Sequence, residues 1–239
     1  MNPYLTRLPE HRNRLLDGLL RQCPGLGAML EVRNEPAGTE LYVEGGPMPA
    51  MYFPAGGLLS IVVRLQDGAS ADVLTVGNEG MVAVAAWLGL PACLHTVMQQ
   101  APGELVRIPT AAFLDAVRPS AHARRLLNNY AGYSMRFGSQ TCVCNSHHTV
   151  KQRLCRWLLT SADRAASSDL ALTQAMLASM MGVRRQSVNE ALAELHRDGT
   201  VELKRNCIQI RDRKELDGLS CECYRATRAL YARLVEPLL

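Results

Sequence analysis

The sequence predicts an α+β architecture, with an antiparallel β module first, a long helix in the middle, and two short helices with a hairpin at the end. Three observations carry this reading. Short apolar runs broken by turn residues fill residues 38 to 110, turn signals vanish from about Ala121 to Ala166, and two amphipathic segments meet at a glycine beyond Leu172. With 239 residues, 48% of them hydrophobic, the chain can bury a core and divide into two domains.

Residues 1 to 30 read as a helical lead-in. They contain no apolar run of signal-peptide length, and nowhere does the chain approach the roughly 20 apolar residues needed to span a bilayer. The expectation is a soluble, cytoplasmic protein with no membrane partner. In such a chain the eight cysteines are expected to be reduced thiols, and no four-cysteine zinc spacing is present, so no metal and no cofactor is assigned.

The first strands are expected at Leu41 to Val43, Leu58 to Leu65, Val73 to Val76 and Leu105 to Ile108. Gly45-Gly46-Pro47, Pro54-Ala55-Gly56-Gly57, Asp67-Gly68 and Pro102-Gly103 punctuate them, as in an antiparallel sandwich or barrel. From Ala121 to Ala166, Leu126, Tyr130, Tyr133, Phe137, Val143, Leu154 and Leu158 are placed to line one side of a long helix, with Gln140 and Thr141 interrupting the stripe. A helix of over 40 residues would reach about 60 Å, further than a small domain is wide, which favours a partner helix and hence a homodimer.

The most informative stretch is LTQAMLASMMGVRRQSVNEALAELHRDGTVELKRNCIQIRD from Leu172. Thr173 is expected to cap a first helix with Leu177, Ala178 and Met181 inward, Gly182 to make the turn, and Val183, Val188, Ala191 and Leu195 to line a second helix. The runs Val201 to Lys204 and Ile208 to Ile210, split by Arg205-Asn206-Cys207, read as a hairpin beside it. One turn glycine between apolar faces is common in unrelated helical hairpins. The small Ala178, the glycine, the apolar positions and the following hairpin together fit the spacing of a winged helix-turn-helix. The charge agrees: residues 1 to 150 carry 11 Lys and Arg against 11 Asp and Glu, and residues 151 to 239 carry 15 against 11, so the net +4 lies in the C-terminal part.

On LTQAMLASMMGVRRQSVNEAL, the wing VELKRNCIQIRD, and more weakly GTELYVEGG to MYFPAGG, the chain resembles the Crp/Fnr family of transcription regulators. The resemblance spans essentially the whole chain. It implies a jelly-roll-like β-roll related to cyclic-nucleotide-binding domains over residues 1–118, a long dimerisation helix over 119–166, and a winged helix-turn-helix over 167–239. It further implies binding of double-stranded DNA at a pseudo-palindromic operator by a homodimer, and leaves RNA polymerase open as a partner. By position, Arg185, Gln186, Asn189 and Glu190 match the base-reading residues of the family. Asn189 and Glu190 depart from the common pattern, which leaves the operator sequence open. Thr173, Arg184, Ser187, Lys204 and Arg205 would contact phosphates, although for each charge a solvated surface role is the alternative.

Members of the family that bind cyclic AMP hold it with a Gly-Glu pair followed by Arg-Ser. In GMVAVAAWLGLPACLHTV, Val84 stands near the Glu position and His95-Thr96 near the Arg-Ser, so the guanidinium fork is missing. These three residues mark the candidate effector pocket, with another small-molecule effector, or none, in place of a cyclic nucleotide. A competing sensor idea uses Cys142, Cys144, His147, His148, Cys221 and Cys223 as metal or redox groups. Against it, Cys142 and Cys144 point to different sides of a helix and Cys is often a small buried hydrophobe; the N-terminal cysteine cluster of the iron–sulfur members is also missing. An enzyme is not expected, since the chain contains no G-x-S-x-G elbow, Walker loop, H-E-x-x-H or Rossmann fingerprint.

Overall fold

The computed structural model describes residues 13–239; the first twelve residues of the lead-in expected over residues 1 to 30 lie outside them. Helix α1 (Arg14–Gln22) starts at Asn13, whose side-chain oxygen accepts from the Leu16 N–H at 2.9 Å. The Asn13 amide donates to the carbonyls of Pro54 and Gly80 at 2.9 and 2.7 Å, so one buried residue caps a helix and ties it to a strand end and a loop.

Seven strands follow: β1 (Glu31–Glu35), β2 (Glu40–Tyr42), β3 (Ala50–Pro54), β4 (Leu58–Arg64), β5 (Ser70–Val76), β6 (Thr96–Ala101) and β7 (Gly103–Pro109). Every ladder is antiparallel, and the strands form one sheet ordered β1-β7-β3 and another ordered β2-β6-β4-β5. Met51, Phe53, Leu59, Leu74, Val97 and Leu105 fill the core shared by these sheets, each contributing about 1.5–3 kcal/mol of apolar burial. The short helix α2 (Val84–Trp87) lies between β5 and β6, and α3 (Thr110–Val117) leaves β7. This is the antiparallel β module expected from the turn punctuation, in the β-roll form that the family resemblance implies.

The expected single helix is two: α4 (Ala121–His147) and α5 (Val150–Ala165). His148 is extended, with φ −110° and ψ 147°, and Thr149 starts a new helix with a capping box, in which its hydroxyl accepts from the Gln152 N–H and the Gln152 side chain accepts from the Thr149 N–H. A Thr three residues before a Gln is a start signal that apolar periodicity alone passes over. Val143, expected on the inward stripe, is 50% exposed, and Thr141 and Cys144 are buried instead. From Phe137, steps of four and seven return to the same helix face and a step of six does not.

The remaining elements build a second core. The short strand β8 (Asp169–Leu170), helices α6 (Gln174–Met181) and α7 (Arg185–Arg197), the hairpin β9 (Val201–Lys204) and β10 (Cys207–Ile210), and α8 (Arg213–Leu219) enclose Leu158, Leu177, Val188, Leu192, Leu195 and Ile208. The last helix, α9 (Cys223–Leu234), returns to α4. Tyr231 and Val235 join the first core, the Tyr231 hydroxyl donates to the Glu79 carbonyl at 2.7 Å, and the Asn129 amide donates to the Leu234 carbonyl at 2.7 Å.

One buried ion pair fastens these parts. Arg164 of α5 and Glu79 of the loop after β5 meet at 2.9 Å with both side chains 4% exposed. Arg164 also donates to the Tyr133 hydroxyl at 2.9 Å and to the Thr75 carbonyl, and its guanidinium lies 4.5 Å from the centre of the Phe137 ring. The Gly77 N–H donates to the second Glu79 carboxylate oxygen at 3.0 Å. Beside the pair, a Cβ on Gly80 would fall 2.0 Å from the Tyr130 hydroxyl oxygen, so only glycine lets that hydroxyl bond the Met81 backbone.

Candidate nucleic-acid interface

The two helices of the turn are set by local chemistry. Thr173 accepts from the Met176 N–H at 3.2 Å to start α6, and Gly182, at φ +61°, ends it in the left-handed conformation that the turn requires. Leu177, Ala178 and Met181 of α6 and Val188, Ala191 and Leu195 of α7 are buried, while Val183, expected inward, is only half-buried. The wing closes through Asn206 at φ +57°, and β8 adds a third strand that the sequence reading did not contain.

Burial on one side of α7 leaves the other side free. Arg184, Arg185, Gln186 and Glu190 are exposed, Ser187 and Asn189 are half-buried, and Lys204 and Arg205 project from the wing tip. Gln186 donates to Glu190 at 2.9 Å, one turn along the helix, so Glu190 pairs with this amide rather than with an arginine. The Asn189 side-chain oxygen is buried without a hydrogen-bond partner, so it is held against the protein in this conformation.

Neighbouring acids are already engaged. Glu194 pairs with Lys151 at 2.9 Å, which lowers its pKa, and Glu202 pairs with Arg211. Among the described residues, no ion pair or side-chain hydrogen bond engages Arg184, Arg185, Lys204 or Arg205. The arrangement leaves four cations without an ion-pair partner on the second helix and the wing, with Glu194 and Glu202 taken up by other cations and Glu190 bonded to a neutral amide, a net positive face that suits phosphates.

The three pocket candidates lie apart from this face. Val84 opens α2, and Thr96 is buried at the start of β6 with its hydroxyl accepting from the Glu44 N–H at 3.4 Å. The His95 carbonyl accepts from the Cys93 thiol at 3.0 Å. No Arg or Lys occurs between Gly80 and Gln100.

One face of α4 is uncovered. Arg125, Asn128, Gly132, Met135, Ser139, Cys142 and Ser146 are all exposed and recur at alternating steps of three and four. Met135 is 72% exposed, and Leu88 and Leu90, which follow α2, are also exposed. The Trp87 indole donates to Asn128 at 2.9 Å, which ties the end of α2 to the α4 stripe. The sequence reading did not find this stripe, because its residues are mostly small or polar.

The family model for the cyclic nucleotide-binding domain matches residues 32–120, and that for the Crp-like helix-turn-helix domain matches residues 152–219. Among solved structures, FixK2 from Bradyrhizobium japonicum superposes with a TM-score of 0.68 at 18% identity, covering 80% of this chain and 98% of that one. CLP from Xanthomonas campestris, described as a c-di-GMP responsive global regulator, gives 0.59 at 16% identity, covering 82% and 97%. A CooA mutant from Carboxydothermus hydrogenoformans gives 0.59 at 13%, covering 90% and 98%. No curated protein matches the chain.

A β-roll joined through a long helix to a winged helix-turn-helix defines a DNA-binding transcription regulator. The chain belongs to the Crp/Fnr family.

Proposed function

We propose that the protein binds a pseudo-palindromic duplex operator as a homodimer. The observation that carries this reading is the free cationic face of α7 and the wing, where Glu194 and Glu202 are already paired with Lys151 and Arg211. Arg185, Gln186, Asn189 and Glu190 read base edges in the major groove; Thr173, Arg184, Ser187, Lys204 and Arg205 hold phosphates. Gln186 presents its amide pre-oriented by Glu190, and Asn189 rotates outward to reach a base. In duplex titrations at increasing salt, replacing both Lys204 and Arg205 by alanine is expected to make the fall of log affinity with log salt shallower by about 2, close to one for each lost phosphate contact. An unchanged slope would remove the wing from the interface.

The dimer forms along the exposed stripe of α4, where Gly132, Ser139 and Cys142 permit close approach and Met135, Leu88 and Leu90 supply apolar area. On this reading two Cys142 side chains face each other across the two-fold axis. Mild oxidation at low protein concentration is expected to give a disulfide-linked dimer that Cys142→Ser abolishes; a monomer under those conditions contradicts the seam.

The unit that enters DNA ends near Leu219, and residues 221–239 serve the junction with the β-roll. An effector bound at the roll near Val84, His95 and Thr96 would lack a guanidinium partner there, which disfavours a cyclic nucleotide.

A further inference from the structure

We propose that Cys144, His148, Cys221 and Cys223 form a closed tetrahedral site for zinc, fastening the α4–α5 hinge to the start of α9. Cys144 lies in the last turn of α4 and His148 just beyond it, Cys221 enters from the turn between α8 and α9, and Cys223 is the first residue of α9. Their four donor atoms lie within 4.8 Å of one another. The Cys144 and Cys221 sulfurs are 3.5 Å apart, and the Cys223 sulfur is 3.7 Å from His148 Nδ1. Donors bound to zinc at ~2.3 Å through sulfur and ~2.0 Å through nitrogen stand about 3.5–3.8 Å apart in a tetrahedron. The two closest observed separations match such edges, and the other donor pairs lie within 4.8 Å.

The surroundings fit the same chemistry. With Nδ1 turned to the sulfurs, His148 offers Nε2 to Glu222 at 3.1 Å, the carboxylate–histidine arrangement that orients a metal-bound imidazole. The three cysteines are buried as a cluster of their own, separate from both apolar cores, so apolar packing does not explain their convergence. Arg153 and Arg156, each buried with Nε unpartnered, supply positive charge nearby.

Binding replaces the three thiol protons by one divalent ion. The three protons go to solvent, and the resulting single negative charge is the one these arginines offset. Four protein donors leave no open position, which makes the site structural rather than catalytic. It joins the residue at which α4 ends to the helix that reaches back to the β-roll, so it locks the hinge between the two modules.

The test is a titration of the full-length, reduced and chelator-treated protein with Co²⁺, read by visible absorption, followed by displacement with Zn²⁺. The expected result is saturation at one ion per chain, with the intense visible bands of tetrahedral cobalt and a thiolate charge-transfer band. Cys221→Ser and Cys223→Ser should each weaken binding at least tenfold, and Cys142→Ser should leave it unchanged. Because a serine variant can fail to fold, thiol alkylation of the unaltered protein gives an independent reading: Zn²⁺ should protect three cysteines that react in its absence. Pale octahedral cobalt spectra, unchanged binding in both serine variants, or no protection of thiols by Zn²⁺ would each overturn the proposal.

Discussion

Arg164→Ala is expected to destabilise the protein by about 3–5 kcal/mol, because it strands the Glu79 carboxylate in a site where both partners are 4% exposed. A typical domain has only about 5–15 kcal/mol in total, so the variant should unfold at a temperature lower by about 10 °C. The substitution also removes the donor to Tyr133 and the cation over Phe137. The matching change Glu79→Gln should be damaging alone. Combined with Arg164→Ala it should cost clearly less than the sum of the two, since the double variant leaves neither charge unpaired. Chemical unfolding of the four proteins provides the test, and strictly additive losses would show that the pair is not a unit.

The second large effect belongs to DNA. Arg185 is the first residue of α7, exposed and without an ion-pair partner among the described residues. A guanidinium there can engage guanine O6 and N7 together, so Arg185→Ala should cost about 1–3 kcal/mol on the operator and relax preference at one base pair in each half-site. Binding to random duplex should fall much less. An equal loss on operator and random DNA would reassign Arg185 to phosphate contact. Gln186→Ala should behave similarly, with the added freedom of Glu190, whose carboxylate would lose its amide partner.

Local signals in the sequence carried much of the architecture. The turn residues of the β-roll, Thr173 as a cap, Gly182 as the turn and the wing at Arg205-Asn206 act within a few residues of where they sit, so periodicity and turn chemistry expose them. The break at His148 was also locally encoded, in Thr149 and Gln152, but apolar spacing masked it. Other features depend on residues far apart. Glu79 and Arg164 are separated by 85 positions, and nothing near either announces a partner. The return of α9 to α4 rests on Tyr231 and Val235, whose spacing suits any amphipathic helix. Among the six cysteines and histidines marked as a sensor alternative, only the fold distinguishes the four that converge from the exposed Cys142 and His147.

The central claim, that this chain reads a two-fold symmetric operator, is tested most directly by selecting bound sequences from random duplex DNA with the purified protein at two salt concentrations. The account predicts an enriched pseudo-palindrome with half-sites about one helical turn apart, retained at the higher salt and degraded at one position per half-site by Arg185→Ala. Salt-labile binding with no enriched sequence, or enrichment of a single unpaired half-site, would contradict it.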